Sequence, residues 1–244
     1  MPNTDCNGIS MYYEVHGTGS PLIVIWGIGG EILSFIDLLK LKAYGLYKII
    51  HYDTRGTGRS GKPDHEYSIE MMADDTACLM DSLKIKTAHI LGISTGSRIA
   101  LSLASRYPKS VKSLILHVAA ARSPGPDEPE ALEAYDRLYN TMIMPGFMEK
   151  ALLFPPTIPS FKIQFNALVT FNSVQLLPLI HAPTLIINTT TDRSTSVSMA
   201  QELHEGISHS QLILLEGDHM IARKDPDLIL DHIMVFLKRQ EVMT

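Results

Sequence analysis

The chain has 244 residues, 45% of them hydrophobic, which suits one large α/β domain with a sizeable core and excludes a disordered or fibrous protein. A formal net charge of -5, from 21 basic and 26 acidic residues without a basic tract, leaves no electrostatic footprint for nucleic acid or an anionic membrane. No apolar run approaches the roughly 18 residues of a membrane span, and the start MPNTDCNGIS lacks signal-peptide character, so the expected setting is the cytoplasm.

In chain order, Asn7-Gly8 is a turn signal, and ISMYYEVHG after it reads as one arm of an N-terminal hairpin. Cys6 and Cys78 lie far apart without C-x-x-C spacing, which favours neither a disulfide framework nor a zinc site. LIVIW and YKIIHYD are short apolar runs expected as buried strands, separated by the helical pattern of Ile32, Phe35, Ile36 and Leu39. A helix is expected over roughly residues 68 to 83. Next comes TAHILGI, which alternates like a strand, then SRIALSLASRYP with helical spacing up to Pro108, then the strand VKSLILHV. Alternation of this kind predicts a mostly parallel sheet covered by helices on both faces.

The pattern breaks at AARSPGPDEPEALEAY and resumes at APTLIINTT. Residues 122–181 are therefore expected as a small helical cap insertion in a core formed by residues 1–121 and 182–244. Five of the seven phenylalanines fall in the insertion: Phe147, Phe154, Phe161, Phe165 and Phe171. They either form the insertion's own core or line an apolar pocket against the sheet, where ligand sites commonly form. Phe147, Phe154 and Phe165 are the candidates for such a pocket.

Ser94 sits at the strand-to-helix junction, between Gly92 and Gly96. G-x-S-x-G between a strand and a helix describes a nucleophile elbow, whereas glycine and serine together also make ordinary turns. A serine hydroxyl is a weak nucleophile, so the elbow demands a histidine base and an acid to orient it. His219 follows the short apolar run LILLEGD, and Asp192 follows TLIINTT, each at the end of an expected strand. The order Ser94, Asp192, His219 is that of the α/β-hydrolases.

Four segments, PLIVIWGIGG, HYDTRGTGRS, LGISTGSRIALSLASRYPKSVKSLIL, and APTLIINTTTD through LEGDHMIARKDPDLILDHIMVFL, keep that family's order. The chain resembles an α/β-hydrolase with a short cap, of the type shared by 3-oxoadipate enol-lactonases, small esterases and cofactor-free haloperoxidase-like proteins. The resemblance implies Ser94 as nucleophile, His219 as general base and Asp192 as the acid, with Asp218 the weaker rival. It also implies an oxyanion hole made by the backbone N–H groups of Ile28 and Thr95, donors of a kind worth roughly 100 to 1,000-fold in rate each. Trp26-Gly27 stands where relatives usually have His-Gly, which places Trp26 against the acyl side of the pocket and narrows it. Arg55 and Arg59 of DTRGTGRS are expected to anchor a loop rather than bind substrate. The sequon at Asn188-Thr189-Thr190 lies at the end of an expected core strand and is discounted as a glycosylation site.

The implied activity is hydrolysis of a small-molecule carboxylic ester or lactone. C–C bond hydrolysis, or a ligand sensor on the same fold, is the alternative. No motif implies a metal or another cofactor, and the oligomeric state stays open. With no compact group of arginines in the insertion, neutral substrates are expected over carboxylate-bearing ones, because an unpaired anion in an apolar cavity is disfavoured.

Overall fold

The computed structural model describes residues 2–30 and 33–242. Its sheet has eight strands: β1 (Asn3–Cys6), β2 (Ile9–His16), β3 (Ser20–Ile25), β4 (Tyr47–Tyr52), β5 (Ala88–Ile93), β6 (Val111–His117), β7 (Thr184–Thr189) and β8 (Ser210–Leu215), in the order β1-β2-β4-β3-β5-β6-β7-β8. The hairpin β1–β2 and the β2–β4 pair are antiparallel, and every later pair is parallel. Crossover helices therefore cover both faces, and the interior strands bury both sides of the pleat. All six residues of β5 are buried, so the alternation read in TAHILGI does not mark a wet face.

The two faces carry separate cores. Ile23, Ile25, Ile90, Leu114 and Ile186 pack with residues of α2 (Ile69–Ser82), α3 (Thr95–Arg106) and α7 (Val197–Gly206). Leu22, Val24, Leu91, Ile115 and Leu185 pack on the other side with α1 (Leu33–Lys42), α8 (Ile221–Lys224) and α9 (Pro226–Val242). Ile32 of the expected first helix lies outside the described residues.

Between β6 and β7 the chain forms α4 (Pro129–Met142), α5 (Phe147–Ala151) and α6 (Ile158–Thr170), then a short 3-10 turn at Val174–Leu179. Phe161 packs with Met142 and Met148 in a small cluster of its own, with Phe165 alongside at 5.8 Å between ring centroids. Phe171 instead joins the main core.

The cysteine expectation needs correction. Cys6, at the end of β1, is disulfide-bonded to Cys78 on α2, with 5.7 Å between Cα atoms. Sequence separation hid the pairing because α2 packs across the hairpin only once the sheet has formed.

Arg55 and Arg59 take the anchoring role expected of them. Buried Arg55 grips Asp75 of α2 with Nε and Nη2 at 2.6 and 2.7 Å. Arg59 grips Asp53 and lies 3.7 Å above the Tyr12 ring. Asn188 is buried and its side chain binds Ala119 and Thr195 backbone, leaving no accessible amide at the sequon.

Candidate active site

Strand order reverses about β3, which has β4 on one side and β5 on the other. In an open α/β sheet the crevice at the carboxyl ends of such strands is where ligands bind. Ser94 follows β5, Ile28 lies just beyond β3, Asp192 beyond β7 and His219 beyond β8. The four share the sheet's C-terminal edge.

Ser94 takes φ 54° and ψ -118°, a left-handed conformation that costs a non-glycine residue of order 1–3 kcal/mol. Surrounding contacts hold it there: its N–H donates to the His117 carbonyl at 2.9 Å, and its own carbonyl accepts from Ser97 N and Oγ at 2.9 and 2.6 Å. The close approach of α3 to β3 needs Gly96, where a Cβ would run into the Ile25 and Trp26 carbonyls. Gly27 is similarly constrained, since a Cβ there would lie 3.1 Å from Ser94 Cβ.

His219 Nε2 lies 3.0 Å from Ser94 Oγ, and its Nδ1 lies 2.7 Å from Asp192 Oδ2. Buried Asp192 is fully engaged, with Oδ1 accepting from the Ser194 and Thr195 N–H groups at 2.7 and 3.1 Å and Oδ2 from Thr195 Oγ at 2.6 Å. Burial alone would raise its pKa, but the hydrogen bond and charge of His219 and the Thr195 bonds outweigh that and hold it below the usual carboxylate range. Asp218 pairs instead with Lys224. Thr191 joins the two loops, its N and Oγ both donating to Gly217 O at 3.0 and 2.7 Å.

These residues open on a cavity of about 880 Å³ whose wall includes Ile28, Thr95, Leu138, Met142, Phe147 and Leu152. Thr95 is the first residue of α3, so its N–H has no acceptor within the helix and faces the positive end of the helix dipole.

Three expected pocket residues are placed elsewhere. Trp26 is buried against Phe35 and His51 on the α1 face, outside the cavity wall. Phe154 is partly exposed beneath the Arg59 guanidinium, and Phe165 packs on Tyr139 inside the helical layer. Of the four, Phe147 alone reaches the described wall.

Arg98, Arg137, Arg193 and Arg223 line the cavity, and only Arg137 of these comes from residues 122–181. Arg137 is paired with Glu133 and Arg193 lies 3.8 Å from Glu130, both exposed, while Arg98 is buried. Arg98 Nη1 donates to Ser123 Oγ and Leu168 O, and Nη2 to Arg122 O and Tyr135 Oη at 2.7 Å each. Thr191 and Thr195 were not singled out from the sequence as parts of the site, and Arg98 only as a fallback partner for an anionic substrate. Only Arg98 carried a signal there, as a cation inside an otherwise apolar helical stretch.

A family model described as the alpha/beta hydrolase fold matches residues 20–155. RutD of Azorhizobium caulinodans, a candidate carbamate hydrolase by name, is 25% identical over 260 residues, covering 97% of this chain and 98% of RutD. The 3-oxoadipate enol-lactonase 2 of Acinetobacter baylyi is 28% identical over 215 residues, 79% of each chain. In three dimensions the enol-lactonase of Burkholderia xenovorans LB400 shares the fold with a TM-score of 0.83 at 23% identity, over 97% of this chain and 100% of that one. A match spanning more than half the chain makes this protein a hydrolase belonging to the α/β-hydrolase fold family.

Proposed function

We propose that the protein is a serine hydrolase of small, apolar carboxylic esters or lactones, working through Ser94, His219 and Asp192. One observation carries this reading: the unbroken relay from Ser94 Oγ to His219 at 3.0 Å and from His219 to Asp192 at 2.7 Å.

In the proposed cycle, His219 Nε2 takes the Ser94 proton as Oγ attacks the substrate carbonyl carbon. The oxyanion is received by the N–H groups of Ile28 and Thr95. Collapse expels the alcohol, which leaves with the proton from His219. Water, deprotonated by the same imidazole, then attacks the acyl-enzyme and releases the acid and Ser94. Asp192 holds the imidazole tautomer and stabilises the imidazolium without taking the proton.

Residues 122–181 serve as the cap, with Ile28, Leu138, Met142, Phe147 and Leu152 giving the acyl group an apolar wall. Neutral substrates remain the favoured class because Arg137 and Arg193 face acidic neighbours, Arg98 spends its terminal nitrogens on neutral oxygens, and Arg223 is exposed to screening solvent.

The test uses nitrophenyl esters of increasing acyl length, lactones, and a lactone paired with its carboxylated analogue. Ser94→Ala should abolish turnover while leaving thermal unfolding nearly unchanged, and a fluorophosphonate probe should label wild type alone. Retained turnover in Ser94→Ala overturns the nucleophile. A higher kcat/KM for the carboxylated lactone overturns the substrate class and leaves the nucleophile standing.

A further inference from the structure

On the hairpin side of the sheet, Glu14 and His16 of β2 and His51 of β4 project from one face. Glu14 and His51 are direct cross-strand partners, and His16 lies two residues further along β2, so the pleat brings all three side chains together. Three ligand atoms converge. His51 Nε2 is 3.3 Å from His16 Nε2 and 3.4 Å from Glu14 Oε2, and His16 Nε2 is 2.9 Å from the same oxygen.

A tetrahedral zinc-like ion, bonded at about 2.0–2.1 Å to nitrogen and oxygen, separates neighbouring ligand atoms by about 3.3 Å. The observed triangle has edges close to that value, and a point about 2 Å from all three atoms lies about 1 Å off its plane. Hydrogen bonding uses this geometry poorly, because an imidazole Nε2 offers a single hydrogen or a single lone pair in the ring plane. His16 Nε2 cannot serve Glu14 and His51 along one axis. A cation at the shared point lies within bonding distance of all three atoms.

The surroundings support the same use. Glu14 Oε1 accepts from Tyr12 Oη at 2.8 Å and from Arg59 Nη1 at 3.3 Å, which fixes the carboxylate and leaves Oε2 as the ligand atom. His51 is buried, while His16 and Glu14 are 33% and 27% exposed, leaving one side open to water and to an entering ion.

We propose that Glu14, His16 and His51 bind a borderline divalent transition ion of the Zn²⁺, Ni²⁺ or Co²⁺ type, with water completing the coordination. Two imidazoles and one carboxylate disfavour Ca²⁺ and Mg²⁺, which take oxygen ligands. None of the three residues lines the catalytic cavity, so this site is separate from the proposed hydrolytic one.

The protein carries its own reporter. Trp26 is the single tryptophan, and its ring centroid is 6.2 Å from that of His51. Chelator-stripped full-length protein titrated with Ni²⁺ should show saturable quenching of Trp26 fluorescence, one ion per chain by native mass spectrometry, and reversal by Zn²⁺. His16→Gln and Glu14→Gln, both partly exposed, should keep the thermal profile of the stripped protein and weaken binding by about tenfold or more. Ser94→Ala should bind as wild type does. Absence of saturable quenching, equal affinity in His16→Gln, or loss of binding in Ser94→Ala would each overturn the proposal.

Discussion

At the scale of single residues, Asp192 and Trp26 make opposite cases. Asp192 has both oxygens engaged and its carboxylate held ionised, so replacing it should change the imidazole tautomer more than the local packing. Asp192→Asn should lower kcat by about 10⁴ with a small change in melting temperature. Adding His219→Ala to Ser94→Ala should cost almost nothing further, and independent multiplicative losses would break the relay. Those three residues were legible because each follows an apolar run that had to be a strand. Trp26 was misread from its place beside the loop of Gly27 and Ile28, although the period-2 rule contained the answer: Leu22, Val24 and Trp26 share a face, and that face belongs to α1. Trp26→His should therefore lower the unfolding midpoint and leave the acyl-length profile unaltered, a comparison made with the same ester series.

At the scale of elements, close approach and cross-linking decide what the chain tolerates. Gly96→Ala drives a methyl group into the carbonyls that end β3, so α3 must shift from the sheet, lowering both stability and nucleophile placement. Circular dichroism melts and ester turnover should fall together. The Cys6–Cys78 bond fastens β1 to α2 across a sequence separation of 72 residues, for which loop entropy gives an upper stabilisation of about 4 kcal/mol. Urea unfolding with and without reductant should show a lower midpoint in the reduced protein, and identical midpoints would refute it. The core strands and the long helices α2 and α3 were readable from apolar runs and spacing. The inner arrangement of the α4–α6 layer was not, because it depends on contacts such as Arg98 with Leu168 and Tyr135 that only the folded chain assembles.

For the molecule as a whole, buried imidazoles set the response to acid. Burial pushes His51 and His117 from the ordinary 6.5 down to about 4, and His89 is lowered by the same cause. Within His117's surroundings, the charge of His219 lowers it further, while the Ile187 carbonyl and Asp192 pull the other way. A histidine neutral in the fold takes up its proton on unfolding, so the unfolded state binds more protons and stability declines as pH falls from 6.5 towards 4. Glu14 and Glu241, lowered from 4.5 to about 2, have stability present above 4.5 that is lost as pH falls through that lower window. Urea midpoints at pH 8, 6, 5 and 4 should decrease steadily. His117→Asn should flatten the slope between 6.5 and 4, and an unchanged slope would exclude that residue as a source.

The Arg98 guanidinium, held by four neutral acceptors from Arg122, Ser123, Tyr135 and Leu168, also bears on traffic through the enzyme. Swinging the helical layer open would strip a buried cation of its Leu168 and Tyr135 acceptors, a penalty of several kcal/mol. The layer is thus riveted rather than hinged. Exposed Met220 and Arg223, in the cavity wall but outside that layer, can reorient on side-chain timescales while the layer stays in place.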